Sequence, residues 1–221
     1  MKKSVVLFFV VISLFSSTIF AQSALDVRME YESWNSGING KTSALLYGLG
    51  GSTKLNSQWS LSGGFVTGDY SFSDSTKSTA SRNDIDLALA YNLMERVRLY
   101  AGYRLIKIDY KNEIDNTRSF TDTTHGLGVG VAAYQLIMPK LYGIGRFGLS
   151  LLSSSIDFPS SDDSGMGFGS GIELGLLYQV LETTNVGLSV KQQGIVINYE
   201  DDSSKWNHNY LRLGLSLSHT F

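Results

Sequence analysis

The chain has 221 residues, no cysteine, a formal net charge of −2 and 43% apolar residues. Without thiols there is no disulfide framework, no thiolate nucleophile and no thiolate metal site, and the balanced charge removes the electrostatic case for a nucleic-acid partner. Beyond Ala24 no stretch offers the ~18 consecutive apolar residues of a spanning helix, so the apolar residues must be used in another arrangement.

Lys2 and Lys3 precede an apolar run from Val5 to Phe15, which gives way to Ser16, Ser17, Thr18 and the small residues around Ala21 to Ala24. The run is shorter than the ~20 residues a transmembrane helix needs, and the small residues suit a signal peptidase, so the segment reads as a cleavable secretory signal. Cleavage after Ala21 is the first choice. Cleavage after Ser23 is the second, because Ile19, two residues before Ala21, is not small. This divides the chain into a signal, 1–21, and one domain, 22–221, with no linker, low-complexity tract or internal repeat to split it.

In the mature chain, apolar alternation recurs with turn signals between the runs. Strands are expected at 25–34, 42–55, 59–72, 83–93, 97–110, 124–136, 141–152, 166–180, 185–199 and 208–221. Short connections at Asn56–Gln58, Met94–Arg96, Ile137–Lys140 and Leu181–Thr184 alternate with longer polar ones near 35–41, 73–82, 111–123, 153–165 and 200–207. The serine-rich stretches Ser71–Ser81 and Ser153–Ser164 fall in the second kind and read as solvated loops. Only Pro139 and Pro159 are present, both in connections, so neither interrupts a strand. Strict alternation of short turns and longer loops is the pattern of an up-and-down membrane barrel with both termini on the short-turn, periplasmic side. The fold class expected is all-β: a transmembrane antiparallel barrel of ten strands. Merging a hairpin near Gly143–Gly145 or Gly165–Gly171 gives eight as the alternative.

The last strand is the clearest. Leu211, Leu213, Leu215 and Leu217 alternate with Arg212, Gly214, Ser216 and Ser218, and the sequence stops at Phe221. A period of two puts the leucines on one face, and in a bilayer only a closed barrel satisfies the backbone of such a strand. With the signal and the hairpin rhythm, these residues resemble the small bacterial outer-membrane β-barrel proteins, over essentially the whole mature chain. His219 stands where that family often has another aromatic. The resemblance implies a bacterial outer-membrane location, contact with outer-membrane lipid, a monomer, and an assembly signal in Leu213, Leu215, Leu217 and Phe221 read by the barrel-assembly machinery. It implies no cofactor.

Face assignment follows from the same alternation. Ile85, Leu87, Leu89, Tyr91 and Leu93 share one face, and Asp84, Asp86, Ala88, Ala90 and Asn92 the other. Placing a basic residue toward lipid at mid-depth costs about 2–4 kcal/mol, so charged faces must turn inward. Trp59, Tyr91, Tyr178 and Phe221 then fall near the periplasmic rim as an interfacial girdle. Inward charges collect as Asp26, Glu30, Glu32, Asp84, Asp86 and Glu173 against Arg28, Arg98, Arg104, Arg146, Lys191 and Arg212. A balanced set points to an ion-pair network tying the walls together, since unpaired charges in a narrow lumen are expensive to desolvate. Many inward positions are glycine, alanine or serine, Gly48, Gly50, Gly130 and Gly148 among them, leaving room for long side chains to cross the interior.

The function expected is therefore a structural or surface-interaction barrel with a largely closed lumen and no enzymatic activity. A narrow porin-like diffusion channel is the alternative. An omptin-like surface protease is the third reading: Asp84, Asp86, His125 and His208 all begin descending strands, where carboxylates and imidazole could activate water. Thr123 and Trp206, two residues before the histidines, break the Asp-x-His pattern of that family. Asp162 with Asp163, and Glu200 with Asp201 and Asp202, offer hard oxygens that bind a divalent cation weakly at most. Trp34, Phe120, Phe158 and Trp206 are read as isolated loop aromatics, either partner anchors or headgroup contacts.

Overall fold

The computed structural model describes residues 22–36, 40–72, 78–159, 162–199 and 205–221; the segment 1–21 read as a signal lies outside them. The strands are β1 (Ser23–Ser36), β2 (Gly40–Lys54), β3 (Trp59–Ser71), β4 (Ser78–Met94), β5 (Val97–Asn112), β6 (Phe120–Met138), β7 (Leu141–Asp157), β8 (Asp162–Leu181), β9 (Thr184–Tyr199) and β10 (Lys205–Thr220). Each pairs antiparallel with its sequence neighbours, and β1 pairs with β10, closing a ten-stranded barrel with no free edge. The alternative of eight strands is thereby removed: Gly143 to Gly145 and Gly165 to Gly171 are continuous strand in β7 and β8.

Local chemistry explains the tight end. Asn56 Oδ1 accepts from the backbone N–H groups of Gln58 (2.9 Å) and Trp59 (2.8 Å), an Asx turn that folds β2 back onto β3. The turn after Pro139 is closed by Lys140 at φ 68°. Trp59 and Tyr91 are paired in register at this end with ring centroids 5.0 Å apart.

Along the lower part of the barrel the outer face is lined with leucines, valines and aromatics, with Leu127 at 69% and Leu151 at 70% exposure. This apolar band stops part-way up the barrel, and the strands do not. Along β5, Val97, Leu99, Ala101, Tyr103 and Leu105 face out, but Lys107, Asp109 and Lys111 continue the same face. The inner face changes in the opposite sense, from Arg98, Tyr100, Gly102 and Arg104 to the buried Ile106, Ile108 and Tyr110. The other strands agree: Thr121, Thr123 and His125 replace apolar residues outside β6, while Ile195, Ile197 and Tyr199 are buried inside β9. Below the change the barrel is polar inside and oily outside; above it, the reverse. A barrel standing in water above the bilayer must bury apolar side chains in its interior.

This inversion corrects the loop boundaries read from the sequence. Residues 78–82, 111–112, 120–123, 153–157 and 162–165, expected as loop, are strand. Their alternation parity is unbroken; only its polarity has flipped. The serine stretches are therefore only partly loop, and Ser78 and Ser154 are buried at 1% and 2% exposure.

Candidate functional site in the lumen

The interior is organised in layers along the barrel axis. At the level where polarity inverts, Glu32 on β1, Arg82 and Asp84 on β4 and Arg212 on β10 meet with essentially no solvent exposure. Arg82 grips Asp84 through Nε (2.7 Å) and Nη2 (2.9 Å) and reaches Glu32 through Nη1 (2.9 Å). Arg212 donates to Glu32, to Asp84 (2.9 Å) and to Glu30 (3.1 Å). Tyr70 donates its hydroxyl proton to Glu32. Because β1 and β4 are separated by two strands, these bonds cross the lumen and tie opposite walls. Charge-assisted forks of this kind are strong when both partners are desolvated together.

Immediately above lies an aromatic and aliphatic plug. Arg82 joins the two layers, its guanidinium carbon 4.3 Å from the Tyr210 ring centroid. Trp34 stacks on Tyr210 and His208, both at 6.0 Å, and meets Tyr70 (5.2 Å) and Phe72 (5.8 Å) edge-on. Leu46, Ile106, Ile108, Leu152, Ile156, Ile195 and Ile197 fill the remaining cross-section, with Phe120, Phe158 and Trp206 packed against them. The loop placement is corrected for Trp34, Phe120 and Trp206, which are strand residues pointing inward; Phe158 lies beyond the end of β7, in the connection where it was expected, and packs against the core. Inward-facing apolar residues are the norm where the outer face meets water, so the exposed-anchor reading fails for all four.

A small polar cluster is embedded in this plug. Ser154 (2.8 Å) and Thr124 (3.0 Å) both donate to Asp122, and the Tyr199 hydroxyl lies 2.9 Å from Ser154 Oγ. With the Ser154 proton spent on Asp122, Tyr199 is the donor in that contact.

Below the ion layer the lumen is hollow. A cavity of ≈ 620 Å³ runs from the rim residues Gln22, Thr53, Asn92 and Thr220 up to Val66, Asp86 and Gln193, and none of Glu32, Arg82, Asp84 or Arg212 lines it. Small residues admit long ones here. The Tyr100 side chain crosses the wall over Gly130 and Gly148 to donate to the Phe147 carbonyl (3.1 Å), and a Cβ on Gly130 would sit 2.3 Å from its ring. Arg28 lies likewise over Gly48 and Gly50.

The sequence-expected charges are distributed over these layers. Glu30, Glu32, Asp84 and Arg212 gather in the sealed layer, while Asp26 with Arg28 (2.8 Å), Asp86 with Arg104, and Glu173 with Arg146 (3.3 Å) form separate pairs on the cavity wall. Arg98 lies over the Tyr134 ring at 5.0 Å instead of on a carboxylate. Among the described residues neither Arg98 nor Lys191 makes an ion pair. Sequence reasoning missed Arg82 and Asp122, both assigned to loops; carrying the strand parity through the polar stretches would have found them. Leu213, Leu215, Leu217 and Phe221 all project outward and are exposed.

The hydrolase constellation does not assemble. Asp84 is saturated by two guanidinium groups and Asp86 is held by Arg104. His208 is buried, not at a solvated rim: its Nδ1 accepts from Trp34 Nε1 (3.3 Å) and its ring stacks on Tyr210. His125 faces outward beside Tyr103, on the opposite side of the wall. No group of three or more potential metal ligands occurs among the described residues; Asp162 and Asp163 alternate along β8, and Glu200, Asp201 and Asp202 lie outside the description.

No family model and no curated protein matches the chain. Solved structures do. Neisserial surface protein A is 13% identical with a TM-score of 0.50, covering 90% of this chain and 97% of its own. The outer membrane protease OmpT from Escherichia coli is 12% identical with a TM-score of 0.60, covering 93% and 99%. The fold is that of an outer-membrane β-barrel. An outer membrane channel from Pseudomonas putida F1, 11% identical with a TM-score of 0.52 over 93% of this chain and 98% of its own, shares it. A surface protein, a protease and a channel on one outer-membrane β-barrel architecture show that the fold leaves the role open, and the residues must decide it.

Proposed function

We propose that this outer-membrane barrel is a sealed, non-catalytic protein of the bacterial outer membrane with a structural or surface-interaction role. Both termini lie in the periplasm, and the loop end stands outside the cell. The observation that carries this reading is the double closure of the lumen: a desolvated ion layer followed by an aliphatic and aromatic plug, with the cavity ending beneath both. A diffusion channel needs a continuous polar path weak enough to release its solute, and this lumen has an apolar core across it. The strands rise past the membrane band with a polar outer face, which presents a rigid crown to the exterior; Ile106 to Asn112 alone extend roughly 20 Å along the strand. In this reading the lumen ion pairs hold the crown's walls together, and Leu213, Leu215, Leu217 and Phe221 serve the assembly machinery.

Single-channel recording on the purified full chain in planar bilayers tests the closure. No discrete conductance steps are expected. Reproducible steps from a folded, inserted barrel would make the protein a channel instead.

A further inference from the structure

The crown is polar outside on most strands, and β8 and β9 depart from that. Their outward residues are Leu176, Leu174 and Ile172 on β8 and Leu188 and Val190 on β9, and the apolar run then breaks at Ser170, Gln192 and Gly194. Gln192 is in register with Leu211, the last apolar outward residue of β10, so the break lies beside the top of the band on the neighbouring strand. Above the break the outer face turns apolar again. Phe168 and Val196 are register partners, Met166 stands one outward position above Phe168, and all three are exposed; Met166, at 74%, is the most exposed large apolar side chain among the described residues. The residues around this island carry no charge: Val196 is in register with Asn207, and Met166 with Ser153 and Asn198. On β5, by contrast, Lys107 is the next outward residue after Leu105, and on β3, opposite β8 in the ring, Asp69 follows Phe65 and Thr67. On β7 and β8 the first outward charges above the band are Asp157, beyond Ser153 and Ser155, and Asp162, beyond Met166 and Ser164. Apolar residues and the line of first charges therefore step up together on this wall.

We propose that the β7 to β9 wall of the crown is a membrane-contact surface, where acyl chains of the outer leaflet climb past the general edge of the band and cover Phe168, Met166 and Val196. A contiguous exposed apolar patch marks a contact site, and its continuity with the lipid-facing band selects lipid as the occupant. Leu151, the top of the band on β7, is the register partner of Phe168, so the island joins the band with no polar residue between them. Leu151, Phe168, Met166 and Val196 together fall short of the roughly 800 Å² per partner that a standard protein interface buries, whereas acyl chains need no minimum area. Ser170 and Gln192 interrupt the band on β8 and β9 with a hydroxyl and an amide, which cost less to immerse than a charge. A lysine or arginine on this wall would hold the bilayer down, and none projects outward below Asp157 and Asp162 on β7 and β8. A bilayer meets a taller apolar wall by thickening locally or by tilting the barrel, each at a small cost per ångström. The protein thus offers the outer leaflet a low edge on β3 and a high edge on β8.

The patch lies outside the wall, so its contact with lipid and the closure of the lumen report independently. The chain has no cysteine, and single cysteines therefore each report one position. Met166→Cys, Val196→Cys, Leu149→Cys and Thr123→Cys, spin-labelled in the folded full chain in dioleoylphosphatidylcholine vesicles, are compared for collision with oxygen, which concentrates in hydrocarbon, and with a nickel chelate, which stays in water. Oxygen should dominate at positions 166 and 196 as it does at 149 within the band, and the nickel chelate should dominate at 123 on the outer face of β6. The two patch variants carry the same expectation, so a folding failure of one leaves the other decisive. Nickel access at either folded patch variant equal to that at position 123 would overturn the proposal and leave the patch in water. Protection of the patch from oxygen and nickel alike would overturn it in favour of a second copy of the chain covering Phe168, Met166 and Val196.

Discussion

At the scale of single residues, the ion pairs of this lumen are chemically alike and energetically different, because their access to water differs. Arg82 and Glu32 have no exposed side-chain surface, whereas Arg104 and Asp86 retain 29% and 41%. Removing one partner of a buried pair leaves an uncompensated charge in a medium that cannot solvate it, which costs about 3–5 kcal/mol. Removing one partner of a wetted pair costs at most ~1 kcal/mol, since water takes its place. Arg82→Leu is therefore expected to lower the unfolding free energy in detergent or lipid by about 3–5 kcal/mol, and Arg104→Leu by no more than ~1 kcal/mol. Equilibrium urea unfolding of the two variants beside the unmodified chain measures both. Equal losses would mean that the ion layer is as wet as the cavity below it.

At the scale of the strand, one parity serves two environments, and this sets how much the sequence could reveal. Where the outer face is oily, as at Leu99, Leu89 or Leu213, alternation against Arg98, Ala90 or Arg212 marks the strand at once. Ten strands and the four tight turns were legible on that signal, and ST-rich or charged runs above it were not. In β5 the run Ile106 to Asn112 still alternates, but its lysines and aspartate face out and its isoleucines face in, and the strand runs past its expected end at Tyr110 to Asn112. For the same reason Arg82 and Asp122 fall outside the lumen that a membrane pattern predicts, and Trp34, Phe120 and Trp206 read as loop although they are strand. The inversion makes opposite predictions along one strand. Leu99→Arg, toward lipid, should cost about 2–4 kcal/mol. Lys107→Ala, outside on the crown and paired with the half-exposed Asp109 at 3.4 Å, should stay within ~0.5 kcal/mol. Ile108→Asp, inside the plug, should cost at least ~3 kcal/mol by burying an unpaired charge. Unfolding free energies of the three variants in lipid vesicles check the order; a tolerated Ile108→Asp beside a damaging Lys107→Ala would place the crown inside the bilayer after all.

At the scale of the whole molecule, the proposed sealed reading gives the lumen two closures in series, and they rest on different physics. The ion layer excludes a path by electrostatic cross-bracing between β1, β4 and β10, and the plug excludes it by packing and by the cost of wetting apolar walls. Seals in series behave as a conjunction: opening either alone leaves the other across the axis. Trp34→Ala with Tyr210→Ala removes the aromatic centre of the plug but leaves Glu32, Arg82, Asp84 and Arg212 bonded beneath it. Glu32→Ala with Arg82→Ala removes one acid and one base together, which avoids stranding a buried charge, and Arg212 keeps Asp84 and Glu30 as partners. Neither double variant should conduct in planar bilayers. The four substitutions combined should produce discrete conductance steps, because the ≈ 620 Å³ cavity then continues into the space the plug vacates. Circular dichroism of each refolded variant confirms the barrel before recording. Conductance in the plug variant alone would show that the ion layer admits water and that packing is the only gate; silence in the folded four-fold variant would place a further closure in the loops above.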